Sequence, residues 1–198
     1  MKFPLFFKNI ESIILQDKLS DFLGVFDNGF VEFFYIDVVK SAGHSCPTVL
    51  GAFLMTREGL KALYPDSTPI RGEIKVEFGE NSNEGVAGVI ANVITQITGA
   101  TSRFGFKGLN GIFDRRDLMF FEENINSSVR FTRLDTDESV DVFYNPNAIA
   151  PNPKQAELMQ KCIMQTASQE EKIEFGRLWQ SRVEMISQNT NSVIKIIK

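Results

Sequence analysis

The strongest constraint on the fold is a helical pattern that begins at Cys46 and ends at Leu63. Apolar residues recur there at spacings of three and four, which is the period of one helix face. The first half is apolar on nearly every side, whereas charged residues between 57 and 61 give the second half a polar side. The pattern predicts a central helix, with Pro47 in the first turn, where a helix tolerates proline.

Patterns of period two predict a sheet. Residues 71–78 alternate glutamate and lysine with isoleucine, valine and phenylalanine, which is typical of a strand with one buried face. Three more strands are expected to form an antiparallel meander, because turn-rich segments separate them: 118–121, 129–134 and 140–144. The sequence therefore predicts an α+β fold with an antiparallel or mixed sheet packed against a central helix pair.

The second helix of that pair is predicted over residues 86–98, which are apolar except for one stripe. Gly88, Asn92 and Gln96 lie four residues apart and therefore share one helix face. A buried amide needs a hydrogen-bond partner. We expect this stripe either to pack on backbone or to line a pocket, with Asn92 and Gln96 among the residues that line the site.

A proline-rich connector near residue 150 divides the chain into two predicted units. Residues 1–150 are expected to form the α+β core, and residues 151–198 a C-terminal helical extension that includes a capping box at Ser168. One helix of the extension has a single apolar stripe that includes Trp179. Two short helices cannot bury it alone, so we expect the extension to pack on the core or on the partner in a homodimer.

Charge and composition favour a soluble cytoplasmic protein. The net charge is -4 and the charged residues are scattered, which argues against nucleic acid as a partner. The longest apolar runs are far shorter than the roughly 20 residues of a membrane helix, so no membrane partner is expected. Cys46 and Cys162 are far apart, which fits a reducing compartment better than a disulfide framework.

The segment His44-Ser45-Cys46-Pro47 is the main candidate for chemistry. His44 is the only histidine, and Cys46 stands at the predicted start of the central helix. The free N–H groups of a helix start stabilise a thiolate, and imidazole and thiolate are ligands that Zn²⁺ and related transition metals prefer. Two donors make half a metal site, so water, a carboxylate, Asn92 or another chain would supply the rest.

Two other interpretations of this segment remain open. Cys46 could be a catalytic nucleophile or redox thiol with His44 as its base, although no acidic partner for the imidazole can be identified from spacing. Alternatively, Cys46 is a small buried side chain without chemistry and His44 only satisfies the end of a strand, because free cysteine is among the most buried residue types. The protein would then be a dimeric scaffold without metal.

The glycine-rich segment 105–111 is a second, weaker candidate. It precedes a predicted strand and not a helix, which excludes a dinucleotide site of the usual kind. We expect it to be a loop, and an anion pocket formed by its backbone with Lys107 and Arg103 remains open. Lys107 is therefore counted among the site-lining residues. The following segment, 114–117, is interpreted as a turn with local ion pairs.

Three segments together resemble the E-subunit family of formylmethanofuran dehydrogenase. They are Gly43-His44-Ser45-Cys46-Pro47 before a helix, Gln96-Ile97-Thr98-Gly99, and Phe106 to Asp114, within a match over residues 30–145. The resemblance implies an α+β core that forms intertwined dimers. It places His44 and Cys46 at the metal or active-site positions of the family, and implies an accessory role in a redox or metallocofactor pathway.

This chain departs from the family in two places. Asn92 stands where members commonly have an acidic residue, so a third ligand from that helix is not supported. The C-terminal segment contains only Cys162, whereas many members have a cysteine-rich zinc finger there. No zinc-finger role is therefore expected.

Overall fold

The structure is a computed structural model and describes residues 2–198. It belongs to the α+β class. The helices in that range are α1 (Lys18–Phe22), α2 (Tyr35–Ala42), α3 (Pro47–Leu63), α4 (Ala87–Thr98), α5 (Lys154–Ile163), α6 (Gln169–Gln188) and α7 (Thr190–Val193). The strands are β1 (Ile13–Gln16), β2 (Phe30–Phe33), β3 (Ile74–Glu77), β4 (Lys107–Leu109), β5 (Ile112–Asp114), β6 (Met119–Phe120), β7 (Val129–Arg133), β8 (Ser139–Tyr144) and β9 (Ile194–Ile197).

The main sheet has five strands in the order β6-β3-β7-β8-β9. All neighbours are antiparallel except β3 and β6, so the sheet is mixed. The antiparallel pairing of β7 with β8 confirms part of the predicted meander. The prediction was wrong for β6, because the Val76 amide donates to the Leu118 carbonyl at 2.7 Å and holds β6 beside β3.

The predicted helix pair, α3 and α4, is confirmed and packs against this sheet. Two glycines let α3 approach the strands closely. A Cβ added to Gly51 would overlap the Tyr144 ring, and one added to Gly59 would meet the Phe131 ring. Larger residues at these two positions would push the central helix away from β7 and β8.

The C-terminal segment packs on the core of the same chain. The capping box predicted at Ser168 is confirmed and starts α6, whose side chains Val183 and Ile186 are fully buried in the main hydrophobic cluster. The chain then ends in β9, which pairs with β8 as an edge strand of the main sheet. Sequence patterns did not predict this strand. The boundary near residue 150 stays a prediction.

Two small sheets lie outside the main one, a pair of β1 with β2 and a hairpin of β4 with β5. The hairpin occupies the glycine-rich segment that was expected to be a loop. Asn110 and Gly111 form its two-residue turn with positive φ values of 48° and 84°, as a tight hairpin turn requires. No helix within residues 2–198 is long and apolar enough to cross a membrane.

Candidate functional site

The segment from His44 to Pro47 joins α2 to α3. Gly43 ends α2 in the left-handed conformation, with φ 76°, and its amide donates to the Val39 carbonyl at 2.9 Å. Cys46 is then extended, with φ -149° and ψ 169°, and is the N-cap of α3. The predicted junction of loop and helix is therefore confirmed.

The Cys46 thiol faces the interior at the start of the central helix. Its Sγ accepts a hydrogen bond from the Val49 amide at 3.3 Å. Tyr35 and Tyr144 are its neighbours: burial raises the pKa of both hydroxyls, and negative charge at Cys46 would raise it further. The Tyr144 hydroxyl also donates to the Pro47 carbonyl at 2.6 Å. Cys46 thus lies between a helix start, which stabilises a thiolate, and two neutral phenols.

His44 is exposed, and one of its ring nitrogens is held by the chain. Its Nδ1 lies 3.0 Å from the Ala42 carbonyl oxygen. A carbonyl oxygen only accepts hydrogen bonds, so Nδ1 carries the proton of the neutral ring and Nε2 keeps its lone pair. Histidines that bind metals commonly have this arrangement, with one nitrogen donating to a carbonyl and the other free for the metal.

Ser45 anchors the segment to the preceding helix α2 and to the distant helix α6. Its hydroxyl is 2.8 Å from the buried Tyr35 hydroxyl. Its carbonyl accepts from Trp179 Nε1 at 3.0 Å and from Gln180 Nε2 at 3.1 Å, so α6 is fixed directly on the segment. Trp179 was expected to belong to a core or an interface, and here it covers the candidate site. Spacing along the sequence could not identify these contacts, because α6 is about 134 residues from Ser45.

A groove of about 460 Å³ opens beside the segment. Its walls are mainly apolar, and two lysines border it. The buried Oε1 of Gln180 has no hydrogen-bond partner in the part of the chain that the structure describes. A ligand with a donor group and some negative charge fits this lining, which comprises Lys2, Phe3, Pro4, Phe7, Ile36, Val39, Lys40, Gly43, Ser45 and Gln180.

The other site-lining residues expected from the sequence differ in position. The Gln96 side chain donates to the Ser41 hydroxyl near the end of α2, only three residues before His44. Asn92 is exposed on the outer face of α4, and Lys107 is exposed on β4. No hydrogen bond among residues 2–198 connects either of these two with the His44–Pro47 segment.

Metal coordination by this chain would rest on the two predicted donors. Among the described residues, no three or more His, Cys, Asp or Glu side chains group together in a way that could hold a metal ion. His44 has a free Nε2 at the surface, whereas the Cys46 thiol is buried at the helix start. Both donor types suit Zn²⁺, and the remaining positions would need donors from elsewhere.

Two comparisons with known proteins identified no relative of this chain. No protein-family model matches this chain, and no curated protein matches it. The resemblance to the E-subunit family of formylmethanofuran dehydrogenase stays a prediction from the motifs. The functional conclusion therefore depends on the geometry of this site and on that motif resemblance.

Proposed function

We propose that the protein is a cytoplasmic homodimer that binds Zn²⁺, or a ligand containing a transition metal, through His44 and Cys46. The motif resemblance supports an accessory role in a redox or metallocofactor pathway. The groove beside Ser45 would receive the organic part of such a ligand. The coordination positions that His44 and Cys46 leave open would be filled by the ligand, by water or by the second protomer.

The observation that carries this proposal is the state of the two donors. The Ala42 carbonyl fixes the His44 tautomer that leaves Nε2 free, and the Val49 amide donates a hydrogen bond to Cys46 Sγ. Each donor is thus prepared by a backbone group, and each hydrogen bond leaves a lone pair free for a metal. Both thiols of the chain are free, so Cys46 is not consumed by a disulfide.

Metal analysis of the purified protein tests this function. We expect Zn²⁺ in the wild-type protein and a clear loss in His44→Ala and Cys46→Ala. Cys162→Ala is the matched control and should keep its metal, because Cys162 lies on α5, outside the His44–Pro47 segment. An equally low metal content in all four proteins would refute metal binding.

The homodimer is supported by exposed aromatic and aliphatic side chains on α1 and around the β4–β5 hairpin. Phe22 on α1 contacts Phe113 on β5 with ring centroids 5.6 Å apart, which joins the two elements. Near them, Leu23, Phe104 and Ile112 are 58%, 79% and 54% exposed. Apolar surface of this kind marks interaction sites. Light scattering should show a dimer in the wild-type protein and a monomer in Phe104→Ser/Ile112→Ser.

A thiol enzyme is the second candidate, favoured by the hydrogen bond from Val49 to Cys46 Sγ. A stabilised thiolate would react with iodoacetamide faster than a free cysteine does. Reaction of Cys46 no faster than that of Cys162 would count against catalysis.

The scaffold interpretation is favoured by the hydrogen bonds that converge on Ser45. It predicts that Cys46→Ala lowers the stability of the protein without changing the binding of any ligand.

A further inference from the structure

We propose that a cavity between the start of α1, the segment before β3 and strand β5 binds a small organic monocarboxylate. Its volume is about 310 Å³, at the lower end of the range for small-molecule sites, about 300–1,000 Å³. No residue of the His44–Pro47 segment lines it. The inference is therefore independent of the metal site, although Ile112 also belongs to the apolar surface proposed for the dimer.

The charges around this cavity leave an excess of one positive charge. Lys18, Arg71 and Arg115 line it, together with Glu73. Glu73 pairs with Lys18 at 2.6 Å, and the buried Asp17 is shared by the two arginines, at 2.9 Å from Arg71 and 2.7 Å from Arg115. Three cations thus face two anions. A single negative charge on the ligand would balance them.

Arg115 supplies the unsatisfied donor. Its residue is 5% exposed, and Nη2 donates to Asp17, but Nη1 has no partner among residues 2–198. Nη1 lies directly against Gly72, another lining residue, where an added Cβ would overlap it. Burial lowers the pKa of Arg115, while the charge of Asp17 opposes this shift. An acceptor that enters beside Gly72 would provide the missing hydrogen bond.

The remaining lining favours a carboxylate with a short apolar body. Ile112 and Phe113 form an apolar wall. Asp114 also lines the cavity, but its carboxylate is held by Arg116 at 2.6 Å and adds no net charge. Lys18 lies at the mouth, with 54% of its side chain exposed, and its ammonium group has donors beyond the one used by Glu73. In the proposed complex, one carboxylate oxygen would accept from Lys18 and the other from Arg115, which both line the cavity.

The basic side chains that line this cavity differ from those that the sequence suggested for an anion pocket. An anion pocket at the glycine-rich segment was considered with Lys107 and Arg103, and both are exposed outside this cavity. The hairpin instead contributes its second strand, and the charge comes from residues far away along the chain. Arg115 and Asp17 are 98 residues apart.

Calorimetric titration of the full chain with isovalerate tests the proposal, with isovaleramide and inorganic phosphate as comparison ligands. We expect saturable binding of isovalerate, and at least about tenfold weaker binding of the uncharged amide, because it lacks the charge-assisted hydrogen bonds. Phosphate should bind more weakly, since the site balances one charge. Binding of the amide as tight as that of the acid, tighter binding of phosphate, or no saturation up to about 10 mM isovalerate would overturn the proposal.

Variants at the cavity mouth locate the bound ligand. Lys18→Gln should weaken isovalerate binding about fivefold, the effect of one half-exposed charge. Lys107→Gln, on the same hairpin but outside the cavity, should leave it unchanged. Equal affinities of the two variants would overturn the site assignment. Lys18 is exposed enough for the variant to fold, and circular dichroism verifies this, so the test does not require substitution of the buried Arg115.

Discussion

Buried polar groups occur in two regions, the His44–Pro47 segment and the cluster of Asp17, Arg71 and Arg115. Neutral hydrogen bonds satisfy these groups in the segment, whereas ion pairs satisfy them in the cluster. Around the segment, neutral donors such as Trp179 Nε1 reach backbone carbonyls. In the cluster, two guanidinium groups depend on one carboxylate. A neutral hydrogen bond contributes about 1 kcal/mol, whereas removing one partner of a buried ion pair costs about 3–5 kcal/mol. The two regions should therefore respond very differently to substitution.

Asp17→Ala should have the largest effect, a loss of about 3–5 kcal/mol in the free energy of unfolding. It leaves two guanidinium groups without their counter-charge and removes the N-cap of α1. Glu11→Ala is the matched control, because it breaks an exposed ion pair with Lys61 and should cost less than about 1 kcal/mol. Urea denaturation measures both. Equal losses would show that burial does not distinguish the two pairs.

Gly72→Ala should come next. Both Gly72 and Gly24 have positive φ values, 83° and 66°, so alanine is strained at each. Only at Gly72 would the new Cβ overlap Arg115 Nη1, whereas nothing lies within 4 Å of it at Gly24. We expect Gly24→Ala to cost about 1–2 kcal/mol in unfolding free energy, and Gly72→Ala at least about 1–3 kcal/mol more. Similar thermal unfolding midpoints for Gly72→Ala and Gly24→Ala would contradict the close contact between Gly72 and Arg115 Nη1.

Trp179→Phe should have a smaller effect, a loss of about 1 kcal/mol. The substitution removes the hydrogen bond from Nε1 to the Ser45 carbonyl, but Gln180 still donates to that oxygen. Phe175→Leu is a control on the same helix, since the Phe175 ring packs on Trp179 without a hydrogen bond. Urea denaturation measures the free energy of unfolding of each variant. If Trp179→Phe lost as much as Asp17→Ala, the two regions would not differ in the way described.

The smallest expected effect is the loss of stability at acid pH that comes from protonation of Asp17. Burial by itself raises the Asp17 pKa, but hydrogen bonding to Arg71, the charge of Arg115 and the Ser20 amide together lower it below the ordinary value. The folded pKa is thus below the unfolded pKa of about 3.9. The stabilisation is complete above the unfolded value and is lost as pH falls through the folded value.

The stability gap between the wild-type protein and Asp17→Asn measures this contribution. Unfolding midpoints in urea should differ by a constant amount at neutral pH, and the difference should shrink once the pH falls below about 4. Other carboxylates with lowered pKa values, such as Asp141 beside Arg130, are present in both proteins and cancel. A gap that stays constant down to about pH 2 would contradict the assigned role of Asp17.

The parts of the fold that were predictable are those with a strong local pattern. α3 and α4 were predicted because their apolar periodicity extends over several turns. β6 has two residues, and its pairing with β3 depends on a long connection that no local pattern describes. β9 follows directly after α7, so no turn residues separated it from the helical pattern.

The same division applies to the sites. The position of His44 and Cys46 at a helix start was predictable, because proline and cysteine at the beginning of an apolar helix are local features. The segment 114–117 was interpreted as local ion pairs, which is correct for Asp114 with Arg116. Arg115 between them instead pairs with Asp17. Only tertiary structure brings such residues together, so no spacing in the sequence could indicate them.

Titration with Co²⁺, which takes the place of Zn²⁺, tests the proposed metal site most directly, because a thiolate bound to cobalt produces a charge-transfer absorption band. We predict a saturable band in the wild-type protein and in Cys162→Ser, no band in Cys46→Ser, and weaker Co²⁺ binding in His44→Gln. A band of equal intensity in Cys46→Ser, or none in the wild-type protein, would contradict metal binding by His44 and Cys46.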